Sequence, residues 1–254
     1  MNSEFLMIPN KIILDKQLLM RYDYKAPYIL SYLMCTTNKF EKCYFSLEDL
    51  ITTSGNKLRT GANRTNEQFK SVIKNFIEFN LLKIDVSIDK VNLTTLLKGQ
   101  LFIPYDINNQ GQRISWFSLD VNNYLKIINS KNKLNKTNLI NLYFYILARI
   151  IKRNDGINNI TITGGSAEVF WENQENMSKD LNISKQTLNT YLKYLKELNL
   201  IFYGNIGKVK KDKYIMEAPN VYSVNNNELK YGLKQSKYYW KNQGWELIEN
   251  KIKN

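Results

Sequence analysis

Histidine is absent from this chain. Its absence removes Ser-His-Asp and Cys-His triads, the usual zinc sites, and the histidine-dependent relaxase and rolling-circle nuclease chemistries. Cysteine occurs only at Cys35 and Cys43, too few for a disulfide framework and consistent with a reducing compartment. No GxxxxGK[ST] loop is present. The nearest glycine pair, Gly164-Gly165, runs into Ser166-Ala167-Glu168, which argues against a P-loop ATPase. Long apolar runs are also missing: the most hydrophobic stretch, Leu139 to Ile151, is interrupted by Asn141 and Arg149 and is too short to span a bilayer. Met1-Asn-Ser-Glu carries an acid where a signal peptide carries lysines, so no membrane association and a cytoplasmic location are expected. Clustered acids, Asp85 with Asp89 and Glu168 with Glu172 and Glu175, read as solvated faces and turns. No catalytic residue, metal site or cofactor is therefore nominated, and the chain is expected not to be an enzyme.

What is abundant is positive charge. The formal net charge is +13, from 36 Lys plus Arg against 23 Asp plus Glu, with a sequence pI near 9.5. Part of the lysine excess follows from an Asn-, Ile- and Lys-rich composition of the kind AT-rich coding imposes. Such coding enriches Glu as well, so the imbalance itself points to a polyanionic partner. With 254 residues, 43% of them hydrophobic and 13% aromatic, the chain can build two cores.

One pattern is written twice. Asn66-Glu-Gln-Phe-Lys-Ser-Val-Ile-Lys74 through Leu82 aligns without a gap on Lys185-Gln-Thr-Leu-Asn-Thr-Tyr-Leu-Lys193 through Ile201, at a constant offset of 119 residues. Both copies place apolar residues at helical spacing, close on Asn-Leu followed by Leu or Ile, and carry a lysine at the same outward position, Lys74 and Lys193. Each predicts a helix running into a strand, as in the third helix and wing of a winged helix-turn-helix. The expected fold class is mainly α with small β-wings (α+β), as two tandem winged helix-turn-helix domains over 1–110 and 111–228. A basic, aromatic helical segment follows over 229–254.

In the first half, Phe5 to Asn10 is a short apolar run and Ala26 to Thr37 a helix with Tyr28, Ile29, Tyr32 and Leu33 on one face. Ser46, with Asp49 three residues on, caps a short helix through Ile51. The connector Thr52 to Thr65 is long and basic, with Lys57, Arg59 and Arg64. Strands are expected at Leu81 to Ile88 and Gly99 to Pro104, with a wing from Asp89-Lys90. In the second half, an entry strand Ile114 to Leu119, a helix Val121 to Ile128 and a buried helix Leu139 to Lys152 lead to a loop around Asn154 to Gly165. Ser178 to Leu181, the turn Asn182-Ile183 and Ser184 as cap then introduce a helix from Lys185 to about Leu198. Phe202 to Ala218 reads as a hairpin whose tip gathers Lys208, Lys210, Lys211 and Lys213.

Turning Leu188, Tyr191, Leu192, Leu195 and Leu198 inward leaves Lys185, Gln186, Asn189, Thr190 and Lys193 facing out. Gln and Asn suit adenine edges, and Lys suits guanine or phosphate. The equivalent set in the first copy is Asn66, Glu67, Lys70, Ser71 and Lys74, a poorer base reader. Most of the 17 tyrosines, Tyr28, Tyr32, Tyr143 and Tyr191 among them, occupy core spacings. The segment from Tyr231 to Asn254, with Lys234, Lys237, Tyr238, Tyr239, Trp240, Lys241 and Trp245, reads as a basic amphipathic helix that docks on the second domain or as an arm along the DNA backbone, and its two tryptophans favour docking.

With Phe5-x-x-Ile8-Pro9-Asn10 at its start, two such modules, a basic chain of this length and no catalytic apparatus, the sequence resembles plasmid replication initiators of the tandem winged-helix type. The resemblance covers almost the whole chain through short motifs. It implies sequence-specific binding of double-stranded DNA at origin repeats, dimerisation as a homodimer, and recruitment of host replication proteins. The long Gly-containing connector departs from a compact helix-turn-helix. A transcriptional repressor would use the same modules at a promoter, and a replisome organiser or helicase-loading adaptor would use them mainly for protein contact.

Overall fold

The computed structural model describes residues 5–18, 23–152 and 165–248. It is mixed α+β, with small sheets whose strand pairings are all antiparallel, and it divides into two compact units, Met1–Ala148 and Arg149–Asn254. The boundary lies later than the expected 110. The reason is the pairing of the first strand, β1 (Phe5–Pro9), with β7 (Trp116–Asp120), from Phe5 opposite Asp120 to Pro9 opposite Trp116. That ladder ties residues past 110 to the start of the chain.

In the first unit, α1 (Lys11–Leu14) is followed by α2 (Ala26–Cys35), whose Tyr28, Ile29, Leu30 and Leu33 are buried. The hydroxyl of Tyr28 donates to Leu50 O at 2.7 Å and fastens α2 to the helix that follows it, across one intervening strand. That strand is β2 (Lys42–Phe45), and the helix α3 (Leu47–Thr53) starts where expected: Asp49 N–H donates to Ser46 Oγ at 3.0 Å. The connector then runs to α4 (Thr65–Glu78), which buries Phe69, Val72, Ile73 and Phe76.

The strands that follow are shorter than their spacing suggests. They are β3 (Leu82–Ile84) and β4 (Leu97–Leu101), and Ile88–Lys90 forms a turn of 3-10 helix where a wing was expected. Gly99 fixes the register: it lies opposite Cys43 and Ile84, and a Cβ there would come within 2.7 Å of Leu82 Cδ1. The sheet order is β2-β4-β3. A small hairpin, β5 (Asp106–Ile107) with β6 (Arg113–Ile114), precedes β7, and Asp120 caps α5 (Val121–Ile128). The last long helix, α6 (Lys136–Arg149), starts and ends three residues earlier than expected. Its Phe144 packs edge-on to Phe117 at 5.2 Å, and its Asn141 Nδ2 donates to Tyr24 O at 2.6 Å.

Most of the expected loop Asn154 to Gly165 lies outside the described residues. The second unit then repeats the first unit's order. Strand β8 (Phe170–Glu172) leads to α7 (Gln174–Asp180), capped by Asn173 and four residues longer at its start than the sequence indicated. Arg149 holds the end of α7 by pairing with Asp180 at 3.2 Å. Asn182, at φ 51, turns the chain into α8 (Lys185–Glu197), whose Ser184 cap accepts from Thr187 N–H at 3.1 Å. Strands β9 (Phe202–Gly204) and β12 (Asn220–Ser223) complete a sheet of order β8-β12-β9. Both units therefore insert two helices between the first and second strands of a three-stranded sheet and place the third strand in the middle.

The expected separate tail is part of this unit. Helix α9 (Asn226–Asn242) lies on the sheet through Leu229 and Gly232, against Val169 and Val221. The chain then returns as β13 (Glu246–Leu247) to pair with β10 (Lys208–Lys211), which also pairs with β11 (Tyr214–Glu217). Residues 249–254 of the expected tail lie outside the described residues. Among the described residues no helix is long and apolar enough to cross a membrane.

Candidate nucleic-acid interface

Helix α8 is set by its buried stripe. Leu188, Tyr191, Leu192 and Leu195 point into the core, and Leu198, expected inward, is half-buried at the cap. The opposite side presents Lys185, Gln186, Thr190 and Lys193 exposed and Asn189 half-buried. From Lys185 to Lys193 the helix rises about 12 Å, comparable to the major-groove width of about 12 Å. None of the lysines on this face is held in an ion pair among the described residues. Thr190 is less available than its exposure suggests, because its hydroxyl donates to Gln186 O at 3.0 Å. Gln186 and Asn189 retain free amide groups suited to base edges.

The hairpin β10–β11 does not present four equivalent lysines. Lys208 and Lys210 are exposed on one face, while Val209, between them, is buried on the other. Lys211 shares the face of Val209, and its Nζ donates to Gln243 O at 2.9 Å beyond the end of α9. Lys213 sits in the turn with its Nζ 5.8 Å from the Tyr214 ring. Acids also stand on the Lys208 and Lys210 face: Glu217 is opposite Lys208 and Glu246 opposite Lys210. The tip is therefore less strongly cationic than the sequence alone suggests.

A small polar cleft of about 160 Å³ lies between the start of α7, the start of α8 and the base of the hairpin. It is lined by Asn173, Gln174, Glu175, Lys185, Asn205, Glu217, Ala218 and Asn220. Glu175 is held below the usual carboxylate range by a hydrogen bond from Lys179 and by its charge, with Lys185 adding to the effect. Asn205 and Asn220 carry no local sequence signal. Asn205 Nδ2 donates to Asn220 Oδ1 and to Ala218 O only because the hairpin brings these residues together.

The first-unit set departs from expectation. Asn66 is buried, not outward: its Oδ1 accepts from Arg59 N–H at 3.0 Å, and its own N–H donates to Arg59 O at 3.2 Å. The start of α4 has no capping side chain, and Asn66 instead staples the connector to the helix. Lys74 is ion-paired with Asp89 at 2.6 Å, and Lys70 is half-buried with Glu67 at 4.0 Å. Glu67 and Ser71 do face solvent, and so do Lys57, Arg59 and Arg64 of the connector. The basic surface of this unit is thus the connector, not the helix.

The lysines expected on a basic amphipathic C-terminal helix do fall on one line, joined by Lys230. Lys230, Lys234, Lys237 and Lys241 form an exposed stripe along α9, spaced 4, 3 and 4 residues apart, which is the helical period. Among the described residues no group of three or more acids or cysteines is arranged to hold a metal ion. Comparisons with protein-family models, curated proteins and solved structures give no match to this chain.

Proposed function

We propose that both units are winged-helix modules and that the chain is a non-enzymatic, sequence-specific binder of double-stranded DNA. In this reading it initiates replication of a plasmid or another mobile element by occupying origin repeats, with host replication proteins as further partners. The observation that carries it is the repeated topology: strand, short helix, longer helix, strand and central strand, twice, each longer helix ending in the same Asn-Leu turn. In the second unit the longer helix exposes a face of Gln, Asn, Thr and Lys, which suits base readout. In the first unit α4 has lost its Asn to the connector and its lysines to ion pairs. Phosphate contact through Lys57, Arg59 and Arg64, without base readout, fits that unit better.

The test is selection from a random duplex pool at two salt concentrations, followed by sequencing of the bound fraction. An enriched motif retained at the higher salt supports the reading. No enrichment, with affinity that collapses as salt rises, would leave only counterion-driven attachment and overturn it.

A further inference from the structure

Helix α9 docks on its unit by one side and leaves the other to solvent. At about 100° per residue, Lys230, Lys234, Lys237 and Lys241 fall within an arc of about 60°, opposite buried Gly232 and Ser236. All four are exposed, and none is paired with a carboxylate among the described residues. Tyr238 lies about 40° to one side of Lys234 and is exposed at 68%. Its ring packs on no other aromatic ring among the described residues, in contrast to Tyr239, which meets Trp171 and Trp240 edge-on, each at 5.6 Å.

The return of the chain builds a second wall beside this row. Gly244, at φ 77, turns the backbone, and Trp245 N–H donates to Trp240 O at 3.0 Å. The Trp245 ring packs edge-on to Trp240 at 5.4 Å, just before β13 pairs with β10. Between α9 and β13 lies a cleft of about 500 Å³. Lys234, Lys237, Tyr238 and Lys241 line it from the helix, and Trp245 and Leu247 from the returning chain. Against these lysines the cleft sets one acid, Glu246.

Lysines interleaved with accessible rings suit a polyanion whose own flat faces are open. We propose that this cleft binds single-stranded nucleic acid, with bases stacked on Tyr238 and against Trp245 and phosphates on the lysine row. The span agrees: from Lys230 to Lys241 the helix rises about 16 Å, which covers about five nucleotides at about 3.4 Å each. Such sites take about 4–16 nucleotides. Duplex DNA fits less well, because its base faces are closed in the stack and both rings would go unused. An acidic peptide would meet the lysines but bring no base to lay on Tyr238. The cleft shares no lining residue with the exposed face of α8, so it stands or falls independently of duplex readout.

The test uses the full chain and the fluorescence anisotropy of a labelled oligothymidylate of about 10 nucleotides, long enough to cover the row. An oligouridylate of equal length and a hairpin duplex are the comparisons. Both single strands should bind within a few-fold of one another, since rings and ammonium groups read what DNA and RNA share. Tyr238→Ala should weaken both about tenfold or more through the loss of one base stack, with duplex affinity unchanged. Tyr238→Phe keeps the ring and should bind as the parent does. Lys237→Ala combined with Lys241→Ala should flatten the salt dependence on single strands by about 1.4 in logarithmic slope, at about 0.7 for each phosphate contact. These positions are exposed, so the circular dichroism spectrum should not change. The proposal is overturned if neither single strand binds, if Tyr238→Ala weakens duplex and single strand equally, or if Tyr238→Phe loses as much as the alanine variant. Displacement of the strand by oligoglutamate of equal charge would overturn it in favour of an acidic polypeptide.

Discussion

Asn80 and Asn199, at equivalent positions of the two units, adopt the same left-handed backbone at φ 57 and 56 and end α4 and α8 in the same way. Each is the residue after the helix cap. Asn80 N–H donates to Ile77 O and Leu81 N–H to Phe76 O; Asn199 N–H donates to Lys196 O and Leu200 N–H to Leu195 O. These are the paired bonds of a Schellman motif, with buried Leu81 and Leu200 closing the contact. The Asn-Leu signature is thus a physical stop signal. Asn199→Ala should cost about 1 kcal/mol, since a Cβ-bearing residue without a compensating side chain pays about 1–2 kcal/mol in this conformation, while Asn199→Gly should be close to neutral. Thermal melting of both variants checks this, and an alanine variant as stable as the parent would contradict it.

Local signals were the legible part. The caps at Ser46 and Ser184, the apolar stripes of α4 and α8 and the extent of α5 all follow from spacing and short-range chemistry. Long-range pairings were not legible. Nothing near Phe5 announces that it will face Asp120, and nothing near Glu246 announces Lys210, so the unit boundary and the return of the tail as a strand escaped the sequence. The candidate site divides in the same way. Exposure on α8 was readable from its period, whereas Asn66 looks outward by period but is recruited inward by a connector whose path the sequence does not give.

Asn66 and Gln186 should therefore separate stability from recognition. Asn66→Ala removes the acceptor for the part-buried Arg59 N–H and should destabilise the fold by about 0.5–1.5 kcal/mol, with no change in sequence preference. Gln186→Ala should leave the urea midpoint nearly unchanged but relax preference at one base pair by about 1–3 kcal/mol. The reverse pattern in paired denaturation and binding experiments would exchange their roles.

The hairpin lysines should also divide. Replacing Lys208 and Lys210 by alanine is expected to weaken binding to every duplex alike and to flatten the salt dependence by about two phosphate contacts. Lys211→Ala should have a smaller effect on that slope, because its ammonium is already anchored on Gln243 O. Equal salt slopes for Lys210→Ala and Lys211→Ala would show that the hairpin faces are not distinguished in the complex.

Alkaline pH should lower the stability of the fold. Burial pushes the Cys43 thiol from 9.0 up to about 11 and the Tyr222 hydroxyl from 10.0 up to about 12, and it raises Tyr28, Tyr124 and Tyr143 as well. The folded state keeps protons that the unfolded chain releases. These groups therefore contribute their full stability below about pH 9 and lose it as pH rises through the folded values. Urea midpoints should be flat from pH 7 to 9 and fall progressively from pH 9 to 11. A midpoint unchanged at pH 11 would contradict the burial of these groups.

Gly232 decides whether the C-terminal helix is a docked element. A Cβ at this position would lie 2.6 Å from Val169 Cγ1, just before β8, and 3.0 Å from Val221 Cγ1 on β12, both short branched side chains with little room to move. Two effects of Gly232→Ala oppose one another: alanine favours an isolated helix by about 1 kcal/mol, but overpacking a close contact costs about 1–3 kcal/mol. The clash should win, because α9 reaches the sheet through this glycine and Leu229. Limited proteolysis should then cut the variant within 226–248 faster than the parent, and tryptophan emission should shift red as Trp240 and Trp245 gain water. Gly204→Ala, with a Cβ 3.2 Å from the flexible end of Leu233, provides the milder comparison. If Gly232→Ala instead stabilised the chain and slowed cleavage, helix propensity would outweigh packing, and the close approach of α9 to the sheet would have to be given up.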